Sequence, residues 1–367
     1  MFTVPQEISD SEFESAIREN VPLAPLTTLQ IGGPARFYAE LQSSDEILAG
    51  FNWSARRGIP VFVLGGGSNI VVSDQGFPGL VIRNAISGIQ IQDETAESSL
   101  LTAGAGDQWD DVVKLAVARN LAGIECLSGI PGTVGATPIQ NVGAYGQEVS
   151  QTIVHITALD MLTSATVVID AKECGFGYRT SRFKTTDSRR FVITSVTYRL
   201  HSDGKPSVRY AELNRLLNER GHKATLSDIR DAVLSIRKTK GMVIDPADPD
   251  SRSVGSFFVN PIVDLDTLGE IERRLELDSD NTTGVPSFAA GGGRVKLSAA
   301  WLIERAGFAK GYSYGRVGLS SKHSLAIVAR QGGTARQIME LAARIQDKVC
   351  SEFGVRLVPE PGYVGVK

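Results

Sequence analysis

The segment Leu64-Gly65-Gly66-Gly67-Ser68-Asn69 limits the fold more than any other part of the chain. It comes directly after the apolar run Val61-Phe62-Val63. Three consecutive glycines remove every Cβ, so backbone N–H groups can approach an anion at contact distance. The residues beyond the turn decide between the known ways of using it. A dinucleotide-binding turn of the Rossmann kind would open a helix, and a P-loop would continue with a lysine. Here the chain continues as Ile70-Val71-Val72, β-branched and extended. The pattern predicts strand, glycine turn, strand, and excludes both alternatives. It leaves either an amide cradle for a pyrophosphate or a tight hairpin turn.

A second glycine segment runs from Leu127 to Glu148 and contains Gly129, Gly132, Gly135, Gly143 and Gly146. It carries almost no charge. A solvated loop of that length would be more polar, whereas Gly, Ala and Thr suit close packing against a large flat ligand. The alternative is a buried connection between strands. Glycine is enriched in the whole chain, 38 of 367 residues, against roughly 7% in average usage. No collagen period accounts for the excess, so it points to these loops.

Around the loops the pattern is α+β. Before about residue 200 the chain is mainly β-like: GLVIR, SLLTA, VHITALDML, ATVVID and FVITSVTYRL are rich in Val, Ile and Thr. Helices are expected over Asp10–Glu19 (Ser9 and Glu12 spaced as a capping box), from Ser43 to Arg57 (Ser43 and Glu46), and over Asp107–Arg119. After Leu200 helices dominate: YAELNRLLNERG, SDIRDAVLSIRKTKG, VDLDTLGEIERRLEL, SAAWLIERAG and Thr334–Phe353, with short strands at SFFVNP, SLAIVA and GVRLVPE. The expected domains are 1–203, 204–350, and a C-terminal strand and tail at 351–367. Lys+Arg 38 against Asp+Glu 41 gives a net charge of -3, which argues against a nucleic-acid or membrane-surface binder. No run approaches the ~20 apolar residues of a membrane span. The first residues lack the basic start and apolar core of a secretory leader. Cys126, Cys174 and Cys350 are far apart and odd in number, as expected of reduced thiols in the cytoplasm. His155, His201, His222 and His323 show no metal-ligand spacing, so no metal is expected.

Six motifs occur in order: TTLQIGGPA, LGGGSN, IPGTVGATPIQNVGAYG, GYRTSRFK, GSFFVNP and VPEPG. Together they resemble the UDP-N-acetylenolpyruvoylglucosamine reductase family over about residues 20 to 365. The resemblance implies a first domain with the FAD-binding fold of the vanillyl-alcohol-oxidase type, in two lobes, followed by a smaller α+β substrate domain. It implies reduction of UDP-N-acetylglucosamine enolpyruvate to UDP-N-acetylmuramate with NADPH, in peptidoglycan precursor synthesis. A monomer is expected.

The resemblance also implies the site. FAD contacts fall on Gly65, Gly66, Gly67, Ser68 and Asn69 in the first loop. In the second they fall on Ile130, Pro131, Gly132, Gly135, Ala136, Thr137, Ile139, Gly143 and Tyr145, with Arg237 facing the flavin. Arg179 in GYRTSRFK matches the family arginine, whose planar fork suits a carboxylate and whose charge can stabilise an enolate. Arg182 reads as a surface arginine. Ser256 in VGSFFVNP matches the proposed proton donor, and Ser253 is the neighbour expected to bond its own backbone. Glu360 matches a glutamate that acts with the arginine, protonated when it acts. Pro361 and Gly362 depart from the usual family residues after it. Tyr210 matches a tyrosine that reaches over the substrate diphosphate, and Lys240 a basic residue near the diphosphate and the nicotinamide cofactor; Asn260 follows the Ser256 strand, where it can bond the sugar nucleotide.

Two other readings fit part of the chain: another flavin oxidoreductase of the same superfamily, and a non-catalytic sugar-nucleotide binder. GSFFVNP and Glu360 argue against the first, and retention of Arg179, Ser256 and Glu360 against the second. No Cys or His stands in these loops where a covalent flavin link is usual. Acid precipitation of the yellow protein should therefore leave all of its FAD in the supernatant; flavin absorbance in the washed pellet would contradict this.

Overall fold

The computed structural model describes residues 10–202, 204, 210–219, 223–276 and 284–366. Ser9 of the expected first capping box, and His222, lie outside them. The chain forms two compact units, and neither is continuous. The first comprises Met1–Leu26, Gly33–Ser68 and Gln75–Thr239; the second comprises Thr27–Gly32, Asn69–Asp74 and Lys240–Lys367.

Besides a two-stranded pairing of Gly143–Ala144 with Gln147–Glu148, the first unit contains two larger sheets. In one, strands Arg18–Pro22, Pro34–Leu41, Phe77–Asn84 and Val61–Leu64 lie in that order. Pro34–Leu41 and Val61–Leu64 both run parallel to Phe77–Asn84. Parallel strands need a crossover, and helix Ser44–Arg57 supplies it. Its start is set as the sequence predicts: the Ser43 hydroxyl accepts from Glu46 N–H while the Glu46 carboxylate accepts from Ser43 N–H. Gly58, at φ 62°, ends it. Buried Ile47 and Trp53 pack with Leu80 and Ile82 of the sheet. The first helix is shorter than expected, Asp10–Ser15, because Arg18 already pairs with Tyr38 in the sheet.

The other sheet is antiparallel and five-stranded, in the order Ala165–Asp170, Ile153–Asp160, Phe191–His201, Ser98–Gly104, Ile89–Asp93. Helix Trp109–Ala118 buries Trp109, Val112, Val113 and Ala116, one face at helical spacing. The Trp109 ring lies 5.6 Å from Tyr198 of the central strand.

The first unit extends to Thr239, beyond the boundary expected at 203/204. Helices Ala211–Asn218 and Leu226–Thr239 are the reason. Their apolar faces (Leu213, Leu217, Ile229, Ala232, Val233, Ile236) close over buried Cys126. Arg230 adds a bidentate pair with Asp110, 2.7 Å on each arm. Burial alone would raise the Asp110 carboxyl; the bonds from Arg230 and from Gly129 N–H outweigh it and hold the group below its usual range.

The second unit is built around helix Ala335–Phe353. Ala335, Ile338, Leu341, Ala342, Ile345, Val349 and Phe353 form its buried stripe. Leu302 and Ile303 of helix Ala299–Arg305 and Val317, Leu319 and Ile327 of a three-stranded sheet share that core. The unit also holds a sheet of Ile262–Asp264, Arg294–Leu297 and Ser287–Ala289 in that order, and two short pairings. Phe258–Val259 runs antiparallel to Val358–Pro359, and Ile70–Val72 runs parallel to Gly362–Val364. The last pairing decides the nature of the glycine turn. Val61–Leu64 and Ile70–Val72 flank it but join different sheets, so it is not a hairpin.

Among the described residues, no helix is long and apolar enough to cross a membrane, and no group of three or more His, Cys, Asp or Glu could hold a metal.

Asp74 sits just past the strand Ile70–Val72, and its carboxylate accepts from the N–H groups of Ala335 (2.7 Å) and Arg336 (3.0 Å). It supplements the Thr334 cap at the start of the long helix and places a negative charge at the positive end of the helix dipole. Asp74→Ala should cost about 1 to 2 kcal/mol. Hydrogen exchange should locate the loss at the Ala335 and Arg336 amides; unchanged protection there would refute the assignment.

Candidate active site

The two glycine segments touch through their backbones. A Cβ on Gly66 would fall 2.5 Å from the Cα of Gly132, and one on Gly132 would fall 2.8 Å from the Ser68 hydroxyl. A Cβ on Gly65 would meet the Thr133 hydroxyl at 2.9 Å. Gly67 and Gly132 have φ 63° and 121°, conformations that glycine adopts freely. The second segment is fastened from behind: Gly132 C=O accepts from Trp109 N–H at 3.0 Å, and Gly135 N–H donates to Ala105 C=O at 2.9 Å. Gly135 also has no room for a side chain, since a Cβ would lie 2.6 Å from that of Ala105.

The expected cofactor residues differ in what they have left to offer. Ile130, Pro131 and Ala136 are half-buried and Ile139 is exposed. Thr137 is buried, and its hydroxyl bonds Val134 C=O (2.8 Å) and the Tyr198 hydroxyl (2.9 Å), so its role is inside the fold.

Arg179 stands at the tip of a two-residue turn, Tyr178-Arg179. Gly177 and Thr180 close it by exchanging N–H to C=O bonds of 3.0 and 3.3 Å. Arg179 itself has φ 56°, the left-handed region that normally takes Gly or Asn. Its guanidinium donates to Gly143 C=O at 2.5 Å. Asn141, buried and at φ 47°, donates from its amide to Gly177 C=O (3.0 Å) and to the Glu148 carboxylate (2.8 Å). Its amide oxygen accepts from Ser150 N–H at 3.1 Å. Ser181, also buried, donates to Ile139 C=O at 2.6 Å. Arg182 is held by Asp187 at 2.5 Å and by Glu173 C=O, a structural arginine more than a surface one.

Arg237 lies on the last turn of helix Leu226–Thr239 and hydrogen-bonds Tyr145. Burial lowers its guanidinium from the usual value, with Tyr145 and Asp110 opposing. Burial pushes the Tyr145 phenol up to about 12, so it stays protonated at any working pH. The exposed ring of Tyr210 meets that of Tyr145 edge-on, with centroids 5.3 Å apart.

In the second unit, the strand pairing brings Ser256 and Glu360 to matched ends. Phe258 lies opposite Pro359, and Glu360 N–H donates to Phe257 C=O at 2.8 Å. Asn69 fixes the other side: its amide donates to Glu360 C=O at 3.5 Å, and its own C=O accepts from Gly362 N–H at 3.0 Å. Pro361 is buried between the two strands. The departure from the family pattern after Glu360 therefore leaves that backbone held on both flanks. Ser253 behaves as its sequence position predicts, accepting from Gly255 N–H at 3.2 Å. Asn260 accepts from Ala299 N–H at 2.9 Å through its amide oxygen. Lys240 opens the unit's long segment; burial first, then its charge and that of Lys310, lower the His323 imidazole to about 4.

A family model described as an FAD binding domain matches residues 35–171, and one described as UDP-N-acetylenolpyruvoylglucosamine reductase, C-terminal domain, matches residues 246–364. The reductase of that name from Thermobifida fusca is 48% identical, over 96% of this chain and 99% of the relative. That from Cutibacterium acnes is 45% identical, over 95% and 90%. This chain belongs to the UDP-N-acetylenolpyruvoylglucosamine reductase family. The solved structure of such a reductase from Thermus caldophilus covers 95% of this chain at TM-score 0.62 and 25% identity. As a member of the family the protein is a flavin reductase of peptidoglycan synthesis, with FAD and NADPH as cofactors. Its first unit carries the FAD binding domain.

The loops fit FAD. Apart from Glu148 they carry no charge, they meet through glycine backbone and two hydroxyls, and the second is anchored from behind by backbone bonds. Sequence reasoning passes over Asp110, which holds the Gly129 N–H at 2.6 Å, and Asn141. An asparagine within a glycine loop is a signal for positive φ, but its partner Gly177 lies well beyond the loop. Gly66→Ala forces the two backbones apart. Overpacking of that kind costs ~1 to 3 kcal/mol, so the Kd for FAD should rise about ten- to a hundredfold. Titration of apoprotein by flavin fluorescence measures it, and an unchanged Kd would mean that the contact does not shape the cofactor site.

Proposed function

We propose that the protein reduces the enolpyruvyl ether of UDP-N-acetylglucosamine to the lactyl ether, with Arg179, Ser256 and Glu360 acting on the substrate. FAD, when bound, supplies the hydride that the terminal carbon receives. The adjacent carbon and its carboxylate then carry negative charge, and that carbon must take a proton. Arg179 suits the charge: its guanidinium, held through Gly143 C=O, is a planar fork matched to a carboxylate. Ser256 donates the proton. A hydroxyl is a weak acid, but an enolate carbon is a strong base, so the transfer needs only a fixed short path. Glu360 assists as the neutral acid, since a carboxylate would repel the enolate.

The observation that carries this reading is the backbone bond from Glu360 to Phe257, which ties the serine and glutamate strands in one register. Two polar side chains from distant parts of the chain are thereby held on rigid elements, as acid–base work requires. We assign Tyr210 and Lys240 to the substrate diphosphate. Asn260 would serve the sugar nucleotide through its amide nitrogen, since its oxygen holds Ala299. In this reading the first unit holds FAD and the second supplies most substrate contacts. The buried free thiols Cys126 and Cys174 fit a reducing compartment, so we place the enzyme in the cytoplasm, as a monomer.

Ser256→Ala separates the half-reactions. Flavin reduction by NADPH requires no serine proton and should stay near the parent rate. Flavin reoxidation by the enol ether should slow by ~100- to 10,000-fold, the size of a lost general acid. Stopped-flow absorbance resolves both. Equal slowing of the two halves would make Ser256 a flavin-positioning group instead.

A further inference from the structure

The Arg179 turn and the second glycine segment are fastened together at three points. Asn141 amide to Gly177 C=O holds the base of the turn (3.0 Å), Ser181 hydroxyl to Ile139 C=O holds its exit (2.6 Å), and Arg179 guanidinium to Gly143 C=O holds its tip (2.5 Å). The three acceptors or donors on the loop side, Ile139, Asn141 and Gly143, alternate along one short stretch of the same segment. Asn141 is the central one. It is 1% exposed, it sits in the left-handed region, and both ends of its amide are used.

We propose that Asn141, with Ser181 in support, is a positioning residue that aims Arg179 by locking its turn to the flavin loop. The inference rests on the reading of Arg179 as the group that stabilises charge on the substrate. The physical argument is one of conformational cost. An arginine at φ 56° lies in a backbone region that side-chain-bearing residues seldom occupy without support from their surroundings. Left alone, the turn would relax and swing the guanidinium. The buried amide of Asn141 opposes this, because withdrawing from Gly177 would leave one of its N–H groups unpaired away from water. Gly143 has to be glycine for the same assembly: a Cβ there would lie 2.7 Å from the Glu148 side chain and 3.0 Å from the Arg179 guanidinium. The loop that carries expected flavin contacts at Ile139 and Gly143 is thus also the seat of the arginine. Flavin site and charge-stabilising group move as one piece.

Asn141→Gly tests this cleanly, because glycine accepts the positive φ and only the amide is lost. Flavin reoxidation by the enol ether should slow about 10- to 100-fold, the cost of misplacing a reacting group by an ångström or so. Reduction by NADPH should hold its rate, and the FAD Kd should change far less than the reoxidation rate. Ser181→Ala should show the same split at smaller size, and it serves if Asn141→Gly does not fold. The double variant with Arg179→Ala is decisive. If Asn141 acts through Arg179, removing it from the Arg179→Ala protein should slow reoxidation no further. Additive losses, or equal slowing of both half-reactions, would reduce Asn141 to a general stabiliser and overturn the proposal. Should Arg179→Ala itself leave reoxidation intact, the reading of Arg179 fails. Should it slow reoxidation while Asn141→Gly and Ser181→Ala do not, the locking inference alone fails.

Discussion

The first unit depends on a meeting of two backbones without side chains between them. Gly66 and Gly132 approach so closely that a single methyl group on either would meet main-chain or hydroxyl atoms. Such an approach has little energy of its own. Its value is that it fixes where two loops lie while leaving their outer faces free of bulk. The second loop is in turn hung on the start of helix Trp109–Ala118 and on Ala105 by backbone bonds. A contact of a few atoms therefore transmits the rigidity of a packed sheet and helix to an otherwise irregular surface.

Cations in this unit divide by what surrounds them. Arg230 and Arg182 meet carboxylates and serve the fold. Arg237 bonds a phenol whose proton burial retains, with Asp110 also favouring its charge, and Arg179 donates to a peptide carbonyl. Guanidinium is the side chain that keeps its charge under such burial.

The sequence is informative where chemistry is local. Capping residues around Ser43, the β-branched run after the glycine turn, and the 3.6-residue stripe of Ala335–Phe353 each appear as they read. The boundary near 203 reads as a change of composition, yet the helices after it close over Cys126, and no local pattern tells which core a helical face will choose. Likewise Asp10–Glu19 reads as one helix, because nothing in those residues announces that Tyr38 will pair with Arg18. In the site, the glycines and the motif residues are legible. Asn141, Asp110 and the partners of Thr137 are not, since each is defined by an atom far along the chain.

The strand Ile70–Val72 takes its ladder partner from Gly362–Val364, and Asn69 reaches Glu360 across 291 positions. As the ribosome extends the chain, the first unit can collect nearly all its own residues by Thr239, but two of its exits, at 27–32 and 69–74, must stay open until the last residues emerge. Closing so long a loop is slow. The apolar side chains of Leu29, Ile31 and Val71, buried in the finished second core, are exposed through that interval. The segment that carries Glu360 is thus also the closing stitch of the second unit, and a chain that stops short of it would leave the strand around Val71 without its ladder partner.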